Sequence, residues 1–183
     1  MKKNNQIFNF AKKIIRFPRS LSGEGVRKTL REIKNVLPNL KIKSFKSGEK
    51  VFDWKIPLEW EVKDAFIINP DGKKICDYKI NNLHLVGYSA PVKIILNKKK
   101  LLTKLYSLPH LKNAIPYVTS YYKKDWGFCI SHKNKKKIKD GNYKVFINSR
   151  FKRGFLNYGE LLIRGKSNKE IILSTYICHP EMA

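Results

Sequence analysis

Seven residues near the C-terminus constrain the fold more than any other stretch. Residues 171–177 read Ile-Ile-Leu-Ser-Thr-Tyr-Ile. A short run of β-branched and aromatic side chains predicts a buried strand. Cys178, His179 and Pro180 follow it directly. A histidine just past the end of such a strand sits where open α/β sheets place their ligand-binding groups.

The first part of the chain fits that architecture. Between Ser22 and Pro38 the apolar residues Val26, Leu30, Ile33 and Leu37 recur at helical spacing, with Ser22 as the expected N-cap and Pro38 as the stop. Residues 40–45 alternate with period two and predict a half-buried strand, and residues 50–57 predict another. From about residue 60 the pattern turns β-rich. Strands at 62–68 and 74–78 flank Asn69-Pro70-Asp71-Gly72, a turn signal that predicts a hairpin. Residues 83–88 read as a further strand and 98–108 as a short helix ended by Pro109. Residues 115–122 read as an edge or loop because of Pro116. Asp140-Gly141-Asn142 opens a strand at 143–147, and 155–163 and 170–177 complete the series. The expected fold class is therefore α/β, with a core interrupted by a mostly β inserted domain. The core comprises residues 1–58 and 167–183, and the insertion residues 59–166. The helix near 23–37 is expected to pack on one sheet containing both 40–46 and 170–177.

Composition narrows the function classes. No apolar run reaches the length of a membrane span, and the basic start lacks a secretory signal's apolar segment. The three cysteines form no C-x-x-C pair, which favours a reducing, cytoplasmic setting over a disulfide framework. The net charge of +25 raises nucleic-acid binding, but the excess is 32 Lys against 7 Arg. Base and phosphate readers prefer the bidentate fork of Arg. With 15 Asn and 20 Ile, the lysines point to an AT-rich genome and a solvated surface, so specific nucleic-acid recognition is disfavoured. The alternative remains a basic, non-catalytic module for nucleic acid or acidic polymer. Its stacking groups would be Tyr121, Tyr122 and Trp126, beside Lys123 and Lys124.

Six strings together carry a family resemblance: R-S-L-S-G-E-G-V-R-K-T-L (19–30), K-V-F-D-W-K-I-P (50–57), N-N-L-H-L-V-G-Y-S (81–89), I-P-Y-V-T-S-Y-Y (115–122), W-G-F-C (126–129) and S-T-Y-I-C-H-P (174–180). The chain resembles a bacterial family of aminopeptidase-like proteins related to the two-zinc aminopeptidases, in the family's order and along nearly its whole length. The resemblance implies a zinc-peptidase α/β core, an inserted β-rich domain and, in full-length members, a following winged-helix domain. It implies zinc as cofactor and a peptide or related amide as substrate. Some members sit in polysaccharide-biosynthesis contexts.

Residue by residue, the resemblance carries over one metal ligand, His179. The family's bridging Asp, its Glu base and its remaining ligands would follow His179, so the chain reads as an N-terminal fragment. A two-metal hydrolase holds its ions roughly 3.5–4 Å apart with a bridging carboxylate and several further ligands. One imidazole is too few for a four-coordinate zinc. The expectation is a chain that is inactive alone, holds no stable zinc, has no catalytic residue of its own, and needs a C-terminal half or a second copy. The other candidates are weaker. His84 lies in a strand-like run, His110 in a turn and His132 beside a lysine run. Cys178 faces away from His179 if both continue a strand. Asp53 and Asp64 show no metal-ligand spacing.

Overall fold

The computed structural model describes residues 2–180, with the side chains of residues 2–4 undescribed. The final residues of the expected 167–183 segment thus lie outside the described residues. In chain order the elements begin with α1 (Lys2–Ile15), α2 (Glu24–Val36), β1 (Lys41–Lys46), β2 (Lys50–Val51), β3 (Trp54–Lys55), β4 (Glu59–Ile68) and β5 (Lys74–Ile75). A 3-10 turn (Asn82–His84) precedes β6 (Val92–Asn97), α3 (Lys98–Leu102), β7 (Leu105–Tyr106) and β8 (Phe128–Cys129). The series closes with α4 (His132–Lys135), β9 (Asn142–Lys152) and β10 (Phe155–Glu160). The chain divides into two compact units, one discontinuous (1–59 and 152–183) and one continuous (60–151).

The continuous unit is built on a four-stranded sheet of order β5-β4-β9-β6. Tyr143, Val145, Ile147 and Ser149 of β9 are buried while Lys144 and Asn148 are exposed, so one face points inward. The hairpin foreseen at Asn69-Pro70-Asp71-Gly72 pairs Ile67 with Ile75 and Ile68 with Lys74, and Gly72 takes φ 76 at the turn. Leu85, Leu101, Leu105, Phe128 and Ile130 join the inward face of β4 and β9 in a single apolar core. Two local expectations fail here. Residues 83–88 do not form a strand: the Asn81 side chain accepts from Leu83 N at 2.8 Å, and that capture curls the backbone into the 3-10 turn. The helix expected over 98–108 stops at Leu102, because Leu105–Tyr106 pairs in parallel with Phe128–Cys129.

The discontinuous unit places α2 over the antiparallel pair β1/β10, whose register runs from Lys41↔Glu160 to Lys46↔Phe155. Val26, Leu30 and Leu40 form its buried cluster, with Ile33, Leu161 and Ile177 packed against it. Gly159 admits this contact, since a Cβ there would lie 3.1 Å from the Leu30 and Leu40 side chains. The helix starts one residue later than foreseen. Gly23, at φ 105, is the N-cap, and no side chain caps the helix. Ser22 is buried outside it. The start is dictated by Gly25, which packs so closely on Pro18 that an added Cβ would sit 1.9 Å from its carbonyl oxygen.

Two larger expectations are corrected. Residues 155–160 pair with β1, although the sequence reading kept them inside the 59–166 segment. Residues 170–177 form no strand, so no sheet joins them to 40–46. Ile171, Ile172 and Leu173 are 90%, 85% and 94% exposed. A strand exists only where a neighbour takes its backbone hydrogen bonds, and no described strand pairs with residues 170–177.

Candidate metal position

His179 is held by its backbone. Arg19, itself buried, donates from Nε (3.1 Å) and Nη2 (2.8 Å) to the His179 carbonyl oxygen, and from Nη1 to the Ile14 carbonyl. The Tyr176 ring lies 4.8 Å from the imidazole. Ile177 tucks into the cluster under α2. Ile177 therefore packs on the core while His179 is held through its backbone carbonyl, in a segment without strand structure.

Electrostatics at this point are mixed. Burial first, then the Arg19 cation, lowers the His179 pKa, which favours the neutral imidazole a metal needs. Burial raises the Cys178 thiol against a smaller opposing pull from Arg19, which disfavours the thiolate. The same guanidinium would repel a metal cation. Among the described residues, no three His, Cys, Asp or Glu side chains converge. The residues described do not fit a zinc ion.

The other histidines have local duties. His84 Nδ1 donates to the Cys129 carbonyl at 2.8 Å. His132 Nδ1 meets Ser107 Oγ at 3.1 Å. His110 is exposed in a turn. Asp64 pairs with Lys79 at 3.2 Å. Asp53 sits at the exposed β2–β3 turn. The stacking set proposed from sequence is not displayed as a platform. Trp126 packs on the core and under Lys104, and Tyr121 is tied to the Tyr88 ring edge and the Tyr117 hydroxyl. Tyr122 is 83% exposed.

Sequence reasoning missed a cavity of about 350 Å³ in the continuous unit. Its walls include Asn69, Asp71, His84, Lys137, Lys139 and Tyr143. The turn at 69–72 and the lysine run at 133–137 were both visible in the sequence. Nothing in their spacing joins them to each other or to His84.

Three comparisons bear on these features. The model of a family described as a domain of unknown function, DUF2172, matches residues 59–150. A Clostridium acetobutylicum protein, provisionally named a polysaccharide biosynthesis protein with an aminopeptidase-like domain, is 44% identical over 177 residues. That alignment covers 97% of this chain and 41% of the relative. A crystal structure from Clostridium acetobutylicum, provisionally named a peptidase, matches with TM-score 0.91 and 43% identity over 99% of this chain and 43% of that one. The chain thus spans about two-fifths of the length of these relatives.

Proposed function

The chain belongs to the DUF2172 family, and from that premise we propose that it is the N-terminal part of an aminopeptidase-like hydrolase. The observation that carries this reading is the 44% identity over 97% of the chain to the protein named for an aminopeptidase-like domain. In this reading the discontinuous unit is the start of a peptidase-like core, and residues 60–151 are a domain inserted into it. The division of the chain supports the arrangement, since the segments before and after the continuous unit meet as β1 and β10.

His179 is proposed as one ligand of a zinc site in the complete protein. Among the described residues no group of three or more His, Cys, Asp or Glu side chains forms that could hold a metal. The chain alone is therefore proposed to be inactive. Its substrate class in the complete protein would be a peptide or related amide, and a zinc ion held by His179 together with ligands from the remaining polypeptide would supply water activation. The partner it requires is the remaining polypeptide or a second copy of the chain. No described helix is long and apolar enough to cross a membrane. A cytoplasmic location remains part of the proposal.

The test is release of p-nitroaniline from aminoacyl-p-nitroanilides with added Zn²⁺, comparing the chain with His179→Ala. Equal background rates are expected. Turnover by the parent above that of the variant would overturn the inactivity. The same assay on a protein that also carries the relatives' remaining length should show zinc-dependent turnover that His179→Ala abolishes.

A further inference from the structure

The cavity in the continuous unit has the size of a small-molecule site, at about 350 Å³. All its lining residues lie within 69–143, inside the segment matched by the DUF2172 family. One wall is the hairpin tip. Gly141, at φ 133, packs on Pro70 so tightly that a Cβ would lie 2.6 Å from its ring, and Lys139 pairs with Asp71 at 3.1 Å. The apolar lining comes from Ile75, Ile130 and Ile138. Cys76 adds a buried side chain on a backbone with φ 51, a conformation costly for a residue with a Cβ and concentrated at ligand sites.

The polar groups are already committed in ways that define what they offer. A carbonyl oxygen only accepts, so the His84 Nδ1 contact with Cys129 O places the ring proton on Nδ1 and leaves Nε2 as an acceptor. The Tyr143 hydroxyl donates to Lys139 O at 2.8 Å, which leaves its oxygen able to accept. Asn69 Oδ1 accepts from Lys73 N at 2.7 Å, which leaves its amide to donate. Lys139 has Asp71, whereas Lys137 has no carboxylate partner among the described residues. The lining thus holds one uncompensated positive charge, amide donors, two acceptors and an aliphatic wall.

We propose that this cavity binds a small carboxylate with an aliphatic body and an adjacent N–H donor, the chemistry shared by a free aliphatic amino acid and a peptide C-terminus. The carboxylate pairs with Lys137 and an asparagine amide. The N–H group meets His84 Nε2 or Tyr143 Oη, and the aliphatic body covers the isoleucines. The site is independent of His179 and of the peptidase reading.

Equilibrium dialysis of radiolabelled L-leucine against sub-micromolar full-length chain tests the assignment. Saturable binding is expected. Lys137→Gln should weaken it about tenfold, the usual effect of losing one charged hydrogen bond. Lys137 is exposed, so an unchanged circular dichroism spectrum should accompany that loss. 4-Methylpentanoate, which lacks the N–H donor, should compete several-fold less well than unlabelled leucine. Isopentylamine, which lacks the carboxylate, should not compete. Competition by glycyl-leucine assigns the peptide C-terminus as the source, and its failure assigns the free amino acid. Absence of saturable binding, equal competition by isopentylamine, or a folded Lys137→Gln variant that binds like the parent would overturn the proposal.

Discussion

At the scale of single residues, two positions hold the discontinuous unit together and were only partly legible. Gly25 sits in a motif that sequence reading singled out, but its reason is visible only in the contact with Pro18. Gly25→Ala places a Cβ 1.9 Å from a backbone oxygen, which no rotamer can relieve. The expected loss is about 3 kcal/mol, read as a lower urea midpoint. Glu59 was not flagged at all. Its carboxylate is 4% exposed, takes Arg27 Nη1 at 2.5 Å and Phe155 N at 2.9 Å, and has Lys152 at 4.0 Å. Burial pushes its pKa up, but the Arg27 and Phe155 hydrogen bonds and the two cations outweigh it and hold the group below its ordinary value. A depressed carboxylate stabilises the fold above the unfolded pKa of about 4.3 and loses that contribution as pH falls through the folded value. Glu59→Gln should therefore cost about 3 kcal/mol at pH 7 and flatten the loss of stability below pH ~4.3. Urea midpoints measured at stepped pH on both proteins would show the two curves converging in acid. Parallel curves would mean the pair contributes nothing that depends on ionisation.

Among the secondary-structure elements, legibility followed whether the signal was local. The Asn69-Pro70-Asp71-Gly72 turn and the alternation of β9 depend on backbone preference and a single buried face, and both are readable in one dimension. The 170–177 segment shows where this fails. Its composition asks for burial, but a strand also needs a neighbour to take its backbone hydrogen bonds, and sequence does not say whether the fold lays one alongside. The same blindness hid the β1/β10 pair, joined across more than a hundred residues, and α1, where only the basic charge was noted. A stretch outside any strand, with Ile171, Ile172 and Leu173 at 85% exposure or more, is an association hazard. At micromolar concentration the chain should self-associate by light scattering. Ile172→Lys should reduce that association without changing the circular dichroism spectrum, because the side chain it replaces supports no buried contact. If the variant associates as strongly as the parent, this segment is not the adhesive surface.

For the whole molecule, the asymmetry between the two cores decides how it should unfold. The continuous unit encloses eleven buried apolar residues between Ala65 and Ile147, with Trp60, Val62 and Trp126 among those packed around them. The discontinuous unit encloses Val26, Leu30 and Leu40. At roughly 1.5–3 kcal/mol for each fully buried large side chain, the first core holds several times the apolar stabilisation of the second. This also explains what was legible of the candidate site. His179 could be found because a family string ends on it, whereas the cavity draws its lining from the 69–76 hairpin, the turn at 84 and the 130–143 segment, which only the folded sheet brings together. Chain connectivity reinforces the asymmetry, since residues 60–151 form one uninterrupted segment and the smaller core needs two distant segments to meet. Closing that long loop costs conformational entropy that three buried side chains offset poorly. Heating should therefore give two calorimetric transitions, the discontinuous unit first. A polypeptide of residues 60–151 should fold alone, with dispersed amide resonances and a melting temperature matching the upper transition. A single transition in the full chain, together with collapsed amide dispersion in the 60–151 polypeptide, would show that the larger core depends on the smaller one.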